Sequence, residues 1–506
     1  MLLRFILLAI GVVCFLVFAL CMYILSKIIF VRWKYSHLPT PKMKSFLLGH
    51  AMYFEEMYKK GGHISMLFSQ WNKTYGPIFV IFAVHRVSVM CMEPSIVKEL
   101  LINTKSTKPA QFYSILHSVF GQRFLGTGLL SVLDNTVWEE RRKMFNTAFK
   151  RGFLIDLLFQ YDESAERLIS YLLTKADGET EVLMYEELNK LSLDVIAKVA
   201  FGLNDLDAIS EKGSIFSEAA ADSLHGCMSQ MQLSFFAAFD FRKESRRVQD
   251  KAKKGSMLIR DIGRRCILKR IQDIKEGRDY PNDILTHILQ VSSHLQNNSV
   301  FGMEEMLDEF VTFFVAGQET TASLMAFTFE YLGRYPDIYK KVQEEIDDVV
   351  GNKQSISYDD ICKLEYLSLV LKEVLRLSPP VVGVQRINPK DLYLNGYKIP
   401  AGSNIGLNHY TIGRDERFWD DPEKFNPERF RKESNSRVYA YFPFSLGPRV
   451  CIGQHFALIE AKVTLTKLLQ RFDFILVPGV EFQCFVEVTL KPKNKTPFYL
   501  IRRFKK

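Results

Sequence analysis

The residues with the plainest chemical use are Phe444-Ser-Leu-Gly-Pro-Arg-Val-Cys-Ile-Gly453. One cysteine, Cys451, lies between Gly447 and Gly453, with Arg449 two residues ahead of it and Phe444 seven. Glycines let a backbone turn tightly and lie against a flat macrocycle without a Cβ clash. Backbone N–H groups in such a loop can point at a sulfur and stabilise its negative charge. Phe444 can cover the sulfur, and Arg449 can pair with a carboxylate of the macrocycle. The pattern suits the axial thiolate of a haem iron, where sulfur donation favours O–O cleavage. The alternative is a structural cysteine buried in a glycine-rich loop.

A second constellation, Ala316-Gly-Gln-Glu-Thr-Thr321, sits inside a proline-free, largely apolar stretch from Glu304 to Tyr335. Apolar residues all round predict a buried helix, and about 30 residues of helix span roughly 45 Å. Gly317 costs such a helix about 1 kcal/mol relative to alanine, so its presence asks for a reason. Ala316 and Gly317 would clear space above a haem for dioxygen. Thr320 would bond back into its own helix or turn its hydroxyl to the oxygen, while Glu319 and water relay protons. A helix kink or a polar contact with a neighbouring helix is the plainer explanation.

Other residues offer support to a haem. Trp138-Glu-Glu-Arg-Arg142 sets an aromatic ring and a cation four apart on one helix face, and Arg386 follows the Pro379-Pro380 turn. Trp138, Arg142 and Arg386 are candidate propionate contacts, with ordinary core packing the alternative for Trp138. Glu373-Val-Leu-Arg376 places an acid and a base three apart, a spacing often found in surface ion pairs, and Phe425-Asn-Pro-Glu-Arg-Phe430 adds Arg429. His409 and His455 read as core or surface histidines rather than iron ligands.

These groups need long elements to position them. Residues 77–84 and 86–91 read as paired strands around His85. Helical patterns cover 135–150, 153–174, 184–201 and a very basic run over 242–277. Short strands return near 391–399 and 486–502, with Gly396 marking a hairpin. The fold expected is mostly α with small β-sheets, in one large domain over 51–506.

Composition agrees with a large enzyme tethered to a membrane. The chain has 506 residues, 47% of them hydrophobic and 13% aromatic. Net charge is +9, but the basic residues are dispersed, which argues against a nucleic-acid partner. Eight cysteines with no CxxC or zinc spacing suggest a reducing compartment. No charge interrupts Phe5 to Ser26, enough apolar chain to cross a bilayer once. Residues 1–30 therefore read as a transmembrane signal anchor and 31–50, with Leu38-Pro-Thr-Pro, as a stiff hinge. Lys27, Arg32 and Lys34 follow the anchor, which favours a cytosolic catalytic domain.

The Cys451 loop, the Ala316–Thr321 motif and the Glu373/Arg376/Arg429 set together resemble the cytochrome P-450 superfamily. Within it, Phe310-Val-Thr-Phe-Phe-Val-Ala-Gly-Gln-Glu-Thr, Tyr441-Phe-Pro-Phe-Ser-Leu-Gly, Cys451-Ile-Gly-Gln-His-Phe-Ala and Lys467-Leu-Leu-Gln-Arg-Phe-Asp-Phe-Ile-Leu-Val-Pro-Gly look like the cholesterol 24-hydroxylase family. The likeness is strongest from Asp283 to the C-terminus. Gln318 and Val381-Val-Gly-Val-Gln depart from it.

The resemblance implies haem b with Cys451 as axial thiolate, and a buried network of Glu373, Arg376 and Arg429 behind the cysteine loop. It implies monooxygenation of a hydrophobic lipid, a sterol side chain first, with fatty-acid or xenobiotic hydroxylation as the alternative. The rival from another class is a thiolate-haem isomerase or sensor that does not activate oxygen. No flavin or dinucleotide fold accompanies the chain, so NADPH would act through NADPH–cytochrome P-450 reductase of the endoplasmic reticulum membrane, with cytochrome b5 as a second donor. Arg141, Lys143, Arg431 and Lys432 are candidate docking cations. The pocket walls expected are 107–128, 228–241, 310–316, 381–384 and the turn near Phe485.

Overall fold

The structure is a computed structural model that describes residues 2–103, 106–203, 209, 215–233, 243–295, 302–432 and 437–503. Its first helix, α1 (Leu2–Lys34), keeps the apolar side chains of its membrane-length window unburied, as a segment suited to lipid would. The chain after it is not a free linker. The Tyr35 hydroxyl meets Ser403 Oγ at 2.9 Å, Val80 N–H donates to the Pro39 carbonyl at 2.8 Å, and the His50 ring reaches the Pro41 carbonyl at 2.9 Å. Tyr35 and Leu38 are buried, so the expected hinge docks on the first sheet and covers apolar surface there.

That sheet begins with β1 (Ile78–Ala83) and β2 (Arg86–Cys91), an antiparallel hairpin. Helix α2 (Asn135–Ala148) is capped by Asp134, whose carboxylate accepts the N–H groups of Thr136 and Val137, satisfying donors a helix start leaves open. The pattern over 153–174 is not one helix: the chain turns at Leu157, between a short helix at Arg151–Asp156 and α3 (Leu158–Leu172). Leu154, Leu157 and Leu158 are all buried, and the turn lets them share the core. Strand β3 (Asp177–Leu183) was not foreseen, because Asp-Gly-Glu-Thr-Glu lacks strand alternation; it forms a sheet edge with most side chains exposed. Helix α4 (Met184–Phe201) ends at Gly202, whose φ of 59° lets its own N–H return to the Lys198 carbonyl and the Leu203 N–H to the Ala197 carbonyl.

Helices α5 (Ile215–Leu233) and α6 (Lys243–Lys275) lie across α7 (Met303–Arg334). At the start of α7 the Glu305 carboxylate accepts the Gly302 N–H at 3.0 Å. From Leu307 to Leu332 every residue of α7 is buried except Ala316, Gly317 and Thr320. Helix α8 (Glu365–Leu377) follows, then β4 (Gly383–Ile387), the hairpin of β5 (Leu392–Leu394) and β6 (Tyr397–Ile399), and β7 (Asn404–Asn408). Helix α9 (Gln454–Arg471) leads into β8 (Phe472–Leu476), the hairpin of β9 (Cys484–Glu487) and β10 (Thr489–Pro492), and β11 (Pro497–Arg502).

The first sheet runs β1-β2-β7-β4, with β2 and β7 parallel, and the second runs β8-β11-β3. One large apolar core joins the helices and a smaller one lies under the first sheet. The architecture is mostly α with small sheets.

Candidate active site

The Cys451 loop is built by backbone bonds that close it on itself. Cys451 N–H donates to the Phe444 carbonyl at 2.9 Å, Ser445 N–H to Phe442 at 2.8 Å, and Val450 N–H to Gly447 at 3.0 Å. Gly447 has φ of 71°, and a Cβ there would lie 1.9 Å from the Leu101 carbonyl oxygen. No side chain fits. The loop ends at Gly453, the N-cap of α9, which places Cys451 at the positive end of an 18-residue helix.

The sulfur sits in a tuned setting. Burial pushes the Cys451 thiol up, opposed first by the Gly453 N–H and then by the Arg142 guanidinium. Cys451 nevertheless keeps accessible surface, a combination expected of a side chain facing an internal cavity. Arg142 is fixed to this loop, donating to the Val450 carbonyl at 2.7 Å and to Asn146 Oδ1 at 2.8 Å.

Beside the loop three cations gather with no acid in ion-pair contact among the described residues. Arg449 lies over the Trp138 ring at 4.3 Å and donates to Asn135 Oδ1 at 2.7 Å, but its buried Nη1 has no partner. Burial, then repulsion from Arg386, lowers Arg449 to about 10. Burial, then Arg449 and Arg386, holds the Lys108 ammonium well below its ordinary value. Burial also lowers Arg386, which Tyr113 partly offsets. Among the described residues none of the three makes an ion pair. Unpaired buried cations are costly, so this cluster and the orphaned Arg449 nitrogen fit the two carboxylates of a haem. A sulfur donor beside them completes the set the group requires. Lys108 and Tyr113 fall in the expected pocket wall 107–128, but no spacing signal singles out a lysine before a short helix (Ala110–His117) or a tyrosine within it as partners of this cluster.

Between Leu307 and Leu332 of α7 the accessible residues are Ala316, Gly317 and Thr320, with Ala316 and Thr320 four apart on one face. Thr320 Oγ1 donates to the Ala316 carbonyl at 2.7 Å. Two residues of the motif have close neighbours here. A Cβ on Gly317 would meet Ile196 of α4 at 3.1 Å, so this glycine admits a neighbouring helix rather than opening oxygen space. The Glu319 carboxylate is not free: Lys491 pairs with it and Thr489 Oγ1 donates to it at 2.5 Å.

Behind the cysteine loop Glu373, Arg376 and Arg429 meet. Arg376 donates to both Glu373 oxygens at 2.7 Å, and Arg429 Nε to one at 2.9 Å. Arg376 also binds the carbonyls of Gly413 and Pro422. The segment 228–241 lies outside the described residues from 234 onward. Phe310 and Phe314 stack on Phe201 at 4.3 and 4.7 Å and are core, not pocket wall. Arg141 is buried against Glu309 and the Thr127 carbonyl, which removes it from any docking face; Lys143, Arg431 and Lys432 are exposed.

Comparison with protein families matches residues 39–497 to Cytochrome P450. The chain is similar to Cytochrome P450 3A41 of Mus musculus, 30% identical over 87% of this chain and 86% of the relative. It is also similar to 11-oxo-beta-amyrin 30-oxidase of Glycyrrhiza uralensis, 33% identical over 75% and 73% of the two chains, and to Cytochrome P450 716A67 of Medicago truncatula, 31% over 86% and 83%. With that extent of match, the chain belongs to the cytochrome P450 family, whose members hold a haem through a cysteine thiolate and take electrons from a redox partner.

Proposed function

We propose that the chain is a membrane-anchored monooxygenase that hydroxylates a sterol side chain, with cholesterol the first candidate. The observation that carries the reading is the joint placement of Cys451 at the start of α9, the cation cluster of Lys108, Arg386 and Arg449, and the accessible Ala316–Thr320 face of an otherwise buried helix. The bound haem supplies oxygen activation. The residues of the chain do the rest. Cys451 holds the iron, Arg449, Arg386 and Trp138 orient the propionate edge, and Arg142 fixes the cysteine loop. Thr320 holds a proton at Oγ1 that now goes to the Ala316 carbonyl and reaches the cavity by a side-chain rotation. Glu319 supplies protons once it leaves Lys491.

The substrate class rests on the likeness to cholesterol 24-hydroxylases and on apolar, partly accessible side chains at Val382, Val384 and Phe485. Leu490 N–H donates to the Pro380 carbonyl at 2.8 Å, which docks the β9–β10 hairpin beside Val381–Val384. A relative named as an oxidase of 11-oxo-beta-amyrin accords with a bulky apolar guest. We place the catalytic domain on the cytosolic side of the endoplasmic reticulum, anchored once by α1. NADPH–cytochrome P-450 reductase is the electron donor, cytochrome b5 a second donor, and Lys143, Arg431 and Lys432 offer charge for docking.

The test is NADPH-driven, reductase-dependent turnover of a sterol panel, with Thr320→Ala alongside. Hydroxylated sterol from the parent and oxygen consumed largely without product in Thr320→Ala support the reading. Turnover confined to long-chain fatty acids overturns the substrate class. Equal product from both proteins overturns the role of Thr320.

A further inference from the structure

Glu319 belongs to a line of four charged side chains that runs from α7 to the surface. Lys491 of β10 pairs with Glu319, and the same ammonium reaches Glu487 Oε2 of β9 at 3.1 Å. The other Glu487 oxygen pairs with His225 Nδ1 of α5. Side-chain exposure is 11% for Glu319, 6% for Lys491, 21% for Glu487 and 55% for His225, so only the histidine end meets solvent freely. We propose that Lys491 is the positioning residue for Glu319, and that sharing its ammonium with Glu487 lets the protonation of His225 set how firmly Glu319 is held. This rests on the monooxygenase reading and adds to it residues from three elements remote in sequence from the Ala316–Thr321 motif.

The charge count explains the coupling. With His225 protonated, two cations face two carboxylates; Glu487 is satisfied by the imidazolium and Lys491 is left to Glu319. When His225 loses its proton to water, two carboxylates share one ammonium. Glu487 then draws on Lys491, and Glu319 is released. No proton passes through Lys491. Side chains at i and i+1 of a helix point about 100° apart, so Glu319 must leave Lys491 to serve the face that carries Thr320.

The remaining groups facing the line do not reverse this sign. Tyr185 of α4 is pushed to about 12, by burial and then Glu319, and stays neutral. Asp222, on the helix of His225, adds negative charge and has Lys251 of α6 at 3.7 Å. The hydrogen bond that His225 donates to Glu487, opposed by burial, raises His225 above its ordinary 6.5, so the imidazolium form persists above that pH and is lost as pH rises through the raised value.

The experiment uses the full-length, haem-loaded protein with labelled imidazoles, titrated by NMR without substrate or electron donor. Its outcome is therefore independent of the sterol reading. His225 is expected to titrate above 6.5; Glu487→Gln removes that rise. Lys491→Met, by removing the competing cation, raises it further by about one pH unit, a tenfold change in proton affinity. Peroxide released per NADPH, measured with reductase and cholesterol, is expected to fall through the His225 titration in the parent and to lose that inflection in His225→Gln. Lys491→Met releases Glu319 at every pH and is expected to hold peroxide at the parent's low alkaline level with no inflection, and Lys491→Arg restores the parent profile. An unmoved His225 titration in Lys491→Met, or an unchanged peroxide profile in His225→Gln, overturns the proposal. Should Lys491→Met fail to fold, His225→Gln and Lys491→Arg still decide it.

Discussion

Gly447 is the position where the cysteine loop tolerates least. Its φ of 71° disfavours any side chain, and the Leu101 carbonyl occupies the place of a Cβ. Gly447→Ala must displace backbone rather than a flexible side chain, at a cost of about 2–4 kcal/mol. The expected result is a lower melting temperature and a lower ratio of haem to protein in the purified material. Glu460, on α9, gives a pH prediction. It is fully buried, and among the described residues its only hydrogen-bond partner is Ser192 Oγ, with none at Oε2. Burial raises it from 4.5 to about 8. The folded state therefore binds a proton that the unfolded chain releases, so its contribution is complete below pH 4.5 and is lost as pH rises towards 8. Glu460→Gln keeps the bond to Ser192 and cannot ionise. It should melt higher than the parent at alkaline pH and show a flatter dependence of stability on pH, measured by denaturation at several pH values.

At the scale of elements, α8 and the segment carrying Arg429 are joined through Glu373, and the Tyr441 hydroxyl, just ahead of the cysteine loop, donates to the Lys372 carbonyl of α8. Glu373 and Arg376 are both fully buried at their side chains, so Glu373→Ala strands two guanidinium groups and costs about 3–5 kcal/mol. Denaturant titration should read that loss, with haem released before the helices unfold. The α4–α7 contact gives a second test. Gly317→Ala places a methyl 3.1 Å from Ile196 Cδ1 and is expected to cost about 1 kcal/mol of packing strain. Ile196→Val, which shortens the opposing side chain, should return most of it in a double-mutant cycle.

The same elements show what the sequence discloses. The cysteine loop and the Ala316–Thr321 motif are contiguous and odd in composition, glycines beside polar residues in apolar surroundings, so they are legible without a fold. The long helices follow from apolar periodicity. Lys108, Tyr113 and Lys491 acquire meaning only from chain folded back from far away. Lys491 carries a faint signal, since Thr489 and Lys491 are two apart and share a face of a short strand. Strand β3 is hidden because its pairing with β11, not its own polar residues, makes it a strand.

In the whole molecule, the anchor helix joins the body before Tyr35, since Ile28 is buried and Arg32 lies over Phe46 at 4.4 Å. Before Tyr35 lies a helix of membrane length; after it, buried Tyr35 and Leu38 belong to the body. Removing residues 1–34 should move the protein from the membrane fraction to the soluble or salt-extractable one and leave the haem spectrum unchanged. Cutting after Leu38 should cost stability as well, because the contacts of Tyr35 with Ser403 and of Leu38 with the first sheet go with it. The whole fold serves one bond, from the Cys451 sulfur to iron. That bond is tested most directly by reducing the haem-loaded protein under carbon monoxide and recording the Soret band. The account predicts the strongly red-shifted band of a thiolate-ligated haem, absent in Cys451→His. An unshifted band in folded, haem-loaded parent protein would contradict it.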